Sequence, residues 1–216
     1  MLQRALELSS TYDYAYFLIA NEYFEMKKPD QAIYHYQRAI ELDSYNFRYW
    51  YGLGTLHIAQ CKFEEATHSL KRALHLNKSD HMVLLGLAIV HQEQHDFECS
   101  NQFLSRILVL KPDCTKAHFH LAKNFYWMSQ YAHALEHCHV LEMHQPDCIE
   151  VLALAHIIHK AMGDQSDAFR YYTAAKTIDA DKFNMLHNEW LKSDKDLANS
   201  VTIFQDQSNG TLNVNF

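Results

Sequence analysis

Large apolar residues and small residues recur along the chain in a pattern that repeats every 34 residues. Five copies follow one another without an insertion, and they begin at Asp13, Phe47, His81, Thr115 and Ile149. Position 20 of every copy is small, and position 8 is small in the first four copies and is His156 in the fifth. A side chain larger than a methyl group at these positions would push two packed helices apart. The pattern therefore predicts pairs of closely packed helices.

The second copy carries the fullest set of these residues. Trp50, Leu53, Gly54, Ala66 and Ala73 stand at its positions 4, 7, 8, 20 and 27. This arrangement resembles the tetratricopeptide repeat, a helix–turn–helix unit of about 34 residues. The resemblance implies an all-α fold, a right-handed α–α superhelix (solenoid) of five repeats with a C-terminal capping helix. Within residues 13–180, the predicted repeats are approximately 13–46, 47–80, 81–114, 115–148 and 149–182.

The two ends of the chain depart from the pattern. Residues 1–12 parallel the end of the first repeat one period later, so we interpret them as the end of a preceding repeat, its second helix (helix B). Residues 181–206 place Phe183, Leu186 and Trp190 on one apolar stripe, which predicts a capping helix that covers the last repeat. Residues 207–216 have no helical period and are predicted to be a flexible tail.

Composition narrows the class of protein. Only five Gly and three Pro among 216 residues disfavour a β-sandwich or barrel. A net charge of −7 disfavours a nucleic-acid partner. Five cysteines without a CxxC pair indicate free thiols in a reducing compartment. Residues 1–8 are amphipathic and lack the apolar core that a signal peptide has, and the longest apolar run, 82–90, is too short to span a bilayer. We therefore predict no membrane partner and a cytoplasmic or nuclear location.

The sixteen histidines raise the question of a metal site. His133 with His137, and His156 with His159, have spacings at which two side chains can share a metal, but a site needs three or four converging ligands. The stretch from His91 to His95 lacks the Glu next to the first His that a zinc protease requires. The sequence has no phosphate loop or nucleophile elbow. We therefore predict no metal, no cofactor and no enzyme activity.

The tetratricopeptide resemblance also implies a concave groove, lined by positions 2, 5, 9, 12 and 13 of each first helix. In this chain these positions are apolar and aromatic, with charges of both signs among them, which favours binding of a peptide or helical segment. The candidate groove residues are Phe17, Asn21, Phe24, Glu25, Arg48, Tyr51, Thr55, Ile58, Leu85, Ile89, Glu93, Lys116, Phe119, Lys123, Tyr126 and Trp127. Some of these rings would instead pack against the next repeat.

A narrower resemblance connects three stretches, 21–27, 38–41 and 48–54, with the scaffold subunits of the anaphase-promoting complex. It implies a place in a multi-subunit ubiquitin ligase, and a groove that receives an Ile-Arg tail. Glu25 or Glu93 would then pair with the Arg, and Tyr51, Leu85 or Phe119 would hold the apolar residue. The predicted function is thus a non-catalytic scaffold that binds a protein or peptide. The alternative is a chaperone of the type III secretion class that holds an extended substrate segment.

Overall fold

The computed structural model describes residues 12–190 and Lys192, and all regular secondary structure in this part of the chain is helical. Its helices are α1 Asp13–Glu25, α2 Pro29–Leu42, α3 Phe47–Ala59, α4 Phe63–Leu76, α5 His81–Glu93, α6 Phe97–Leu110, α7 Thr115–Trp127, α8 Tyr131–His144, α9 Ile149–Met162, α10 Gln165–Ile178 and α11, residues 180–190. Three predicted segments lie outside the described residues. They are the end of a preceding repeat (except Tyr12), residues 191 and 193–206 of the capping helix, and the tail.

The helices alternate in pairs with the period of the sequence pattern. The first helices of the pairs begin at residues 13, 47, 81, 115 and 149, and the second helices begin at 29, 63, 97, 131 and 165. Their starts follow local chemistry: Asp80 and Asp96 accept hydrogen bonds from backbone N–H groups in the first turns of α5 and α6. The predicted all-α fold of helix–turn–helix repeats is confirmed.

The turn within each repeat has one geometry in all five copies. The N–H of position 16 donates to the carbonyl of position 11, with N···O distances of 2.8–3.0 Å. This bond closes the end of the first helix and requires a left-handed residue at position 15. The fifth repeat meets the requirement with Gly163, whereas non-glycine residues adopt positive φ in the others: Lys27, Cys61, His95 and Ser129. The turn is therefore set by the packing of the two helices rather than by glycine alone.

The small positions of the pattern lie where the two helices of a repeat are closest. Ala32 and Ala66, both at position 20, are fully buried, and a Cβ at Gly54 would lie only 2.7 Å from Leu70 Cγ. In the fifth repeat the imidazole of His156 takes the place of a small residue at position 8. Its Nδ1 lies 2.8 Å from the carbonyl oxygen of Ala168. A hydrogen bond between positions 8 and 20 thus replaces the contact between two small residues.

The chain divides into two compact units, with the boundary between His120 and Leu121, inside α7. In the first unit, core clusters centre on Tyr36 and on Leu70. In the second unit, a core cluster includes Ile149 and Phe183, the latter from α11. None of the helices described is long and apolar enough to cross a membrane.

Candidate functional site

The first helices of the first two repeats carry a row of half-buried apolar residues. Phe17 and Phe24 on α1 pack against the core cluster around Tyr36 and Leu56. Tyr51 and Ile58 on α3 pack in the same way against the cluster around Leu70. Each side chain therefore has one side in the core, and these four predicted groove residues retain an accessible side.

A cleft of about 480 Å³ opens where α1 and α3 end. We call it the α1–α3 cleft, and its lining residues are Phe24, Glu25, Lys27, Pro29, Leu56, Ala59 and Gln60. Phe24, Pro29 and Ala59 provide apolar surface, and Leu56 is fully buried behind it. The exposed Glu25 and Lys27 bring charges of opposite sign. A concave apolar surface with a few polar groups is the usual form of a ligand site. Two of its residues, Phe24 and Glu25, belong to the predicted groove.

Gln60 adds an unusual polar atom to this cleft. Its side-chain Oε1 is shielded from solvent and has no hydrogen-bond partner among the described residues. Leaving a buried acceptor unpaired costs about 1–3 kcal/mol. A hydrogen-bond donor that reached this atom would relieve the cost.

A close contact between the first two repeats shapes the surface beside the cleft. Gly52 lets the ring of Tyr36 approach so closely that a Cβ there would lie 2.5 Å from Tyr36 Cε1. The Tyr36 hydroxyl then reaches across and donates to Asn21 Oδ1 at 2.6 Å. Burial raises the pKa of Tyr36 to about 12, and Glu25 and Tyr51 add to the shift. Because the phenol stays protonated, Tyr36 holds Asn21 in one orientation.

The start of α1 is tied to the second repeat in a similar way. The Tyr49 hydroxyl donates to Asp13 Oδ2 at 2.6 Å. The ring of Tyr49 lies 5.2 Å from that of Phe17, which also contacts Tyr14 and Tyr36. Burial and the Asp13 carboxylate raise the pKa of Tyr49. Phe17, a predicted groove residue, therefore acts largely in joining the two repeats.

The other predicted groove residues of the first unit differ in exposure. Leu85 is only 5% exposed and offers no surface in the free chain. Thr55 donates its hydroxyl to the carbonyl of Gly52 within α3. The remaining residues are exposed or half-buried: Arg48, Ile89, Glu93, Lys116 and Phe119.

Gln92 stands at a groove position of the repeat, and the structure gives it a structural role. It is buried, its Nε2 donates to the carbonyl of His120, and its Oε1 lies 2.7 Å from His120 Nδ1. This pair joins the third repeat to the start of the fourth. A polar residue at position 12, matched by a polar residue at position 6 of the next repeat, is the sequence signal that would have identified it.

In the second unit, the predicted groove residues contact the chain itself. Trp190 of α11 lies 5.5 Å from Trp127 and 5.6 Å from Tyr126, centroid to centroid, and it is only 8% exposed. The Lys123 ammonium lies 5.0 Å from the Trp127 ring centroid and 5.4 Å from that of Trp190, a cation–π arrangement. Three predicted groove residues of α7, Lys123, Tyr126 and Trp127, thus contact the indole of Trp190. We call this contact the α7–Trp190 cluster.

With this geometry in view, comparisons with known proteins place the chain in a fold class. The family model of the tetratricopeptide repeat matches residues 14–46. No curated protein matches the sequence. Among solved structures, YrrB, a tetratricopeptide protein with an unusual peptide-binding site, is 20% identical, with a TM-score of 0.66 over 88% of this chain and 97% of that chain.

Two further structures have the same fold. The pilF protein of Pseudomonas aeruginosa is 20% identical, with a TM-score of 0.74 over 89% of this chain and 86% of that chain. The Cut9–Hcn1 hetero-tetramer of the anaphase-promoting complex gives 16% identity and a TM-score of 0.75 over 87% of this chain and 38% of that chain. The chain therefore has the tetratricopeptide fold. More specifically, residues 14–46 are a tetratricopeptide repeat, as their sequence predicted.

Proposed function

We propose that this chain is a non-catalytic binding protein that holds a peptide segment of a protein partner in the α1–α3 cleft. The observation that supports this proposal is the cleft itself, whose apolar lining comes from two consecutive repeats. Its volume of about 480 Å³ falls in the usual range for ligand sites, roughly 300–1,000 Å³. The neighbouring groove residues Tyr51, Thr55 and Ile58 would extend the contact along α3.

The lining favours a segment in which an apolar side chain stands next to a basic one. Phe24, Pro29 and Ala59 suit the apolar side chain, and the Glu25 carboxylate suits the cation. Gln60 Oε1 would accept a hydrogen bond from a guanidinium or a peptide N–H. An Ile-Arg pair, which the sequence resemblance implies, meets all three conditions. Arg48, Ile89, Glu93, Lys116 and Phe119 would contact further residues of a longer segment.

Selection from a displayed peptide library tests the cleft directly. We expect the selected peptides to carry an apolar residue beside Arg or Lys. Glu25→Gln should weaken their binding about tenfold, since a hydrogen bond to a charged group contributes about 1.5–3 kcal/mol. Phe24→Ala should weaken it by a similar factor, whereas Tyr34→Ala, which removes an exposed ring of α2, should not. Peptides that bind the Phe24→Ala/Glu25→Gln double variant as tightly as the unaltered protein would contradict the proposal.

The finer proposal is that the chain serves inside a multi-subunit assembly of the ubiquitin-ligase type. It rests on the sequence resemblance to anaphase-promoting-complex subunits, because structural similarity at 16% identity speaks for the fold alone. Affinity purification from the source cell should then recover several ligase subunits in constant ratio. Recovery of a single secreted substrate would favour the chaperone alternative. The absence of a nucleic-acid or membrane partner, and the cytoplasmic or nuclear location, stay predictions.

A further inference from the structure

Three potential metal ligands of the third repeat converge at the turn between α5 and α6. They are His91 Nδ1, a carboxylate oxygen of Asp96 and Cys99 Sγ, and all lie within 4.8 Å of one another. His91 Nδ1 is 3.1 Å from Asp96 Oδ2. These residues occupy positions 11, 16 and 19 of the repeat. The histidine pairs noted in the sequence are different: His137, for example, stacks on Phe125.

The three side chains are held in place by their surroundings. The His91 ring stacks on Phe103 with the centroids 5.6 Å apart, and its Nδ1 faces Asp96. Asp96 Oδ1 accepts a hydrogen bond from the Cys99 backbone N–H at 3.1 Å. The side chains of His91 and Asp96 are 21% and 42% exposed, so an ion can enter from solvent. Ligands that are oriented in advance and accessible are what a metal site needs.

The turn does not require this set of residues, although the Asp96 side chain also caps α6. The same N–H to carbonyl bond between positions 16 and 11 closes the turn in every repeat. In three repeats position 16 is not acidic: it is Lys28, Lys62 or Gln130. In the fifth repeat the same three positions again hold potential ligands that converge: His159, Asp164 and Asp167. The turn is thus built with or without the ligands, and the ligand set recurs where position 16 is acidic.

A catalytic role for Cys99 does not fit the electrostatics. A nucleophilic cysteine needs a lowered thiol pKa. Here the hydrogen bond to the Asp96 carboxylate raises the pKa of Cys99, and burial and Glu98 add to the shift. The cluster is instead a set of side chains with converging donor atoms.

We propose that His91, Asp96 and Cys99 form a zinc site with an open fourth position. Imidazole nitrogen, carboxylate oxygen and thiolate sulfur are all common ligands of Zn²⁺, at distances of about 2.0–2.3 Å. Tetrahedral donors at those distances lie about 3.3–3.8 Å apart, so side-chain movements of about 1 Å close the site. Three protein ligands leave one position for water or for a side chain of a partner. This proposal is independent of the peptide cleft.

The proton balance of binding follows from the ligands. Zn²⁺ displaces the proton of the Cys99 thiol, which leaves to solvent. When Nδ1 of His91 binds the metal, the ring proton resides on Nε2. Binding of an ion at this site therefore releases the thiol proton.

Titration of the untagged, reduced protein with Co²⁺, a coloured substitute for Zn²⁺, tests the site. A thiolate bound to cobalt gives a charge-transfer absorption in the near ultraviolet, which carboxylate and imidazole ligands do not. We expect this band to saturate at one equivalent and to disappear on addition of Zn²⁺. Cys99→Ser should abolish the band, while Cys61→Ser, which alters an exposed thiol of the second repeat, should leave it unchanged.

A second pair of variants tests the histidine without disturbing the fold. His91→Phe keeps an aromatic ring at position 11, as Phe125 does in the fourth repeat, and should weaken Zn²⁺ binding at least tenfold. His57→Phe makes the same change in the second repeat, where position 16 is Lys62, and should have no effect. A cobalt band that survives Cys99→Ser, or Zn²⁺ affinity that is equal in His91→Phe and the unaltered protein, would overturn the proposal. Absence of any cobalt band in the unaltered protein would overturn it as well.

Discussion

Positions 12 and 13 have different surroundings in the first and fourth repeats. At positions 12 and 13 of the first repeat, Phe24 and Glu25 line an open cleft. At positions 12 and 13 of the fourth repeat, Tyr126 and Trp127 contact the indole of Trp190. Both pairs lie in the last turn of a first helix. The difference lies in what the rest of the chain brings to that turn.

A large apolar residue at a groove position therefore does not by itself indicate a ligand site. A row of large apolar residues on the first helices is compatible with a ligand site and with an internal contact. In the fourth repeat, Trp190 supplies the apolar partner and Lys123 stacks over the two indoles. In the first repeat, the described residues leave the cleft open and leave Gln60 Oε1 without a partner. The open cleft is therefore the better candidate for a ligand.

The largest expected effect on stability comes from truncating Trp190, the residue of the chain that contacts α7. Trp190→Ala empties the α7–Trp190 cluster and should cost about 3 kcal/mol, in the range for buried aromatic truncations. Hydrogen exchange of the amides in residues 183–190 should then accelerate about 100-fold. Met185→Ala, which truncates an exposed side chain on the same helix, is the control and should change exchange little. Equal exchange rates in the two variants would mean that Trp190 does not hold α11 in place.

A somewhat smaller effect on stability is expected from the close contact between Gly52 and the Tyr36 ring. Gly52→Ala places a methyl group against the Tyr36 ring and should lower the free energy of unfolding by about 1–3 kcal/mol, as overpacking does. Urea denaturation gives the value. Adding Tyr36→Leu should relieve the clash, so the double variant should lose less than the sum of the two single changes. Strict additivity would show that the two residues do not interact as described.

These contacts also show which parts of the structure were predictable. The helices and turns follow from residues within one repeat, such as Gly54 against Leu70, so the repeat pattern was enough to predict them. Trp190 stands two repeats away from α7, and the position of its ring depends on how α11 packs, which no local spacing encodes. The sequence predicted an apolar stripe that includes Trp190, but not the surface that this stripe covers.

The candidate sites, too, could be predicted only in part from the sequence. Phe24 and Glu25 were predicted from their repeat positions, whereas Pro29 and Gln60 were not, because they lie in or beside the turns that close the cleft. The convergence of His91, Asp96 and Cys99 becomes visible in the sequence only when repeats are aligned and positions 11, 16 and 19 are compared. The linear sequence does not show it, since seven residues, among them the left-handed His95, separate His91 from Cys99.

Acid should lower the stability of the first two repeats through the half-buried His35 and His57. Burial lowers the pKa of His35 and of His57 below the ordinary value of 6.5. As pH falls below about 6.5, the unfolded chain binds protons before the folded one does, so the free energy of unfolding falls. His57→Phe, which copies the aromatic ring that Phe125 places at the same position of the fourth repeat, should reduce this dependence between pH 7 and 5 in urea denaturation. An unchanged slope would contradict the assignment to His57.

The smallest expected effect on the free energy of unfolding comes from the left-handed residue at position 15, which is Lys27 in the first repeat and Ser129 in the fourth. Lys27→Gly and Ser129→Gly each relieve a left-handed non-glycine residue at position 15, and each should raise the free energy of unfolding by about 0.5 kcal/mol. Lys27→Gly also removes a positive charge from the α1–α3 cleft, so it should alter the affinity for a charged peptide. Ser129→Gly is the matched control and should leave that affinity unchanged. Equal affinities for the two variants would exclude Lys27 from the site.

The most direct test of the account is an NMR titration of the protein with a library-selected peptide. Backbone amides of Glu25, Lys27 and Gln60 report on the α1–α3 cleft, and the indole N–H signals of Trp127 and Trp190 report on the α7–Trp190 cluster. We expect the three amide signals to shift in a saturable way while the two indole signals stay in place. Shifts of the two indoles, with none at the cleft amides, would contradict the central claim that the first two repeats hold the ligand.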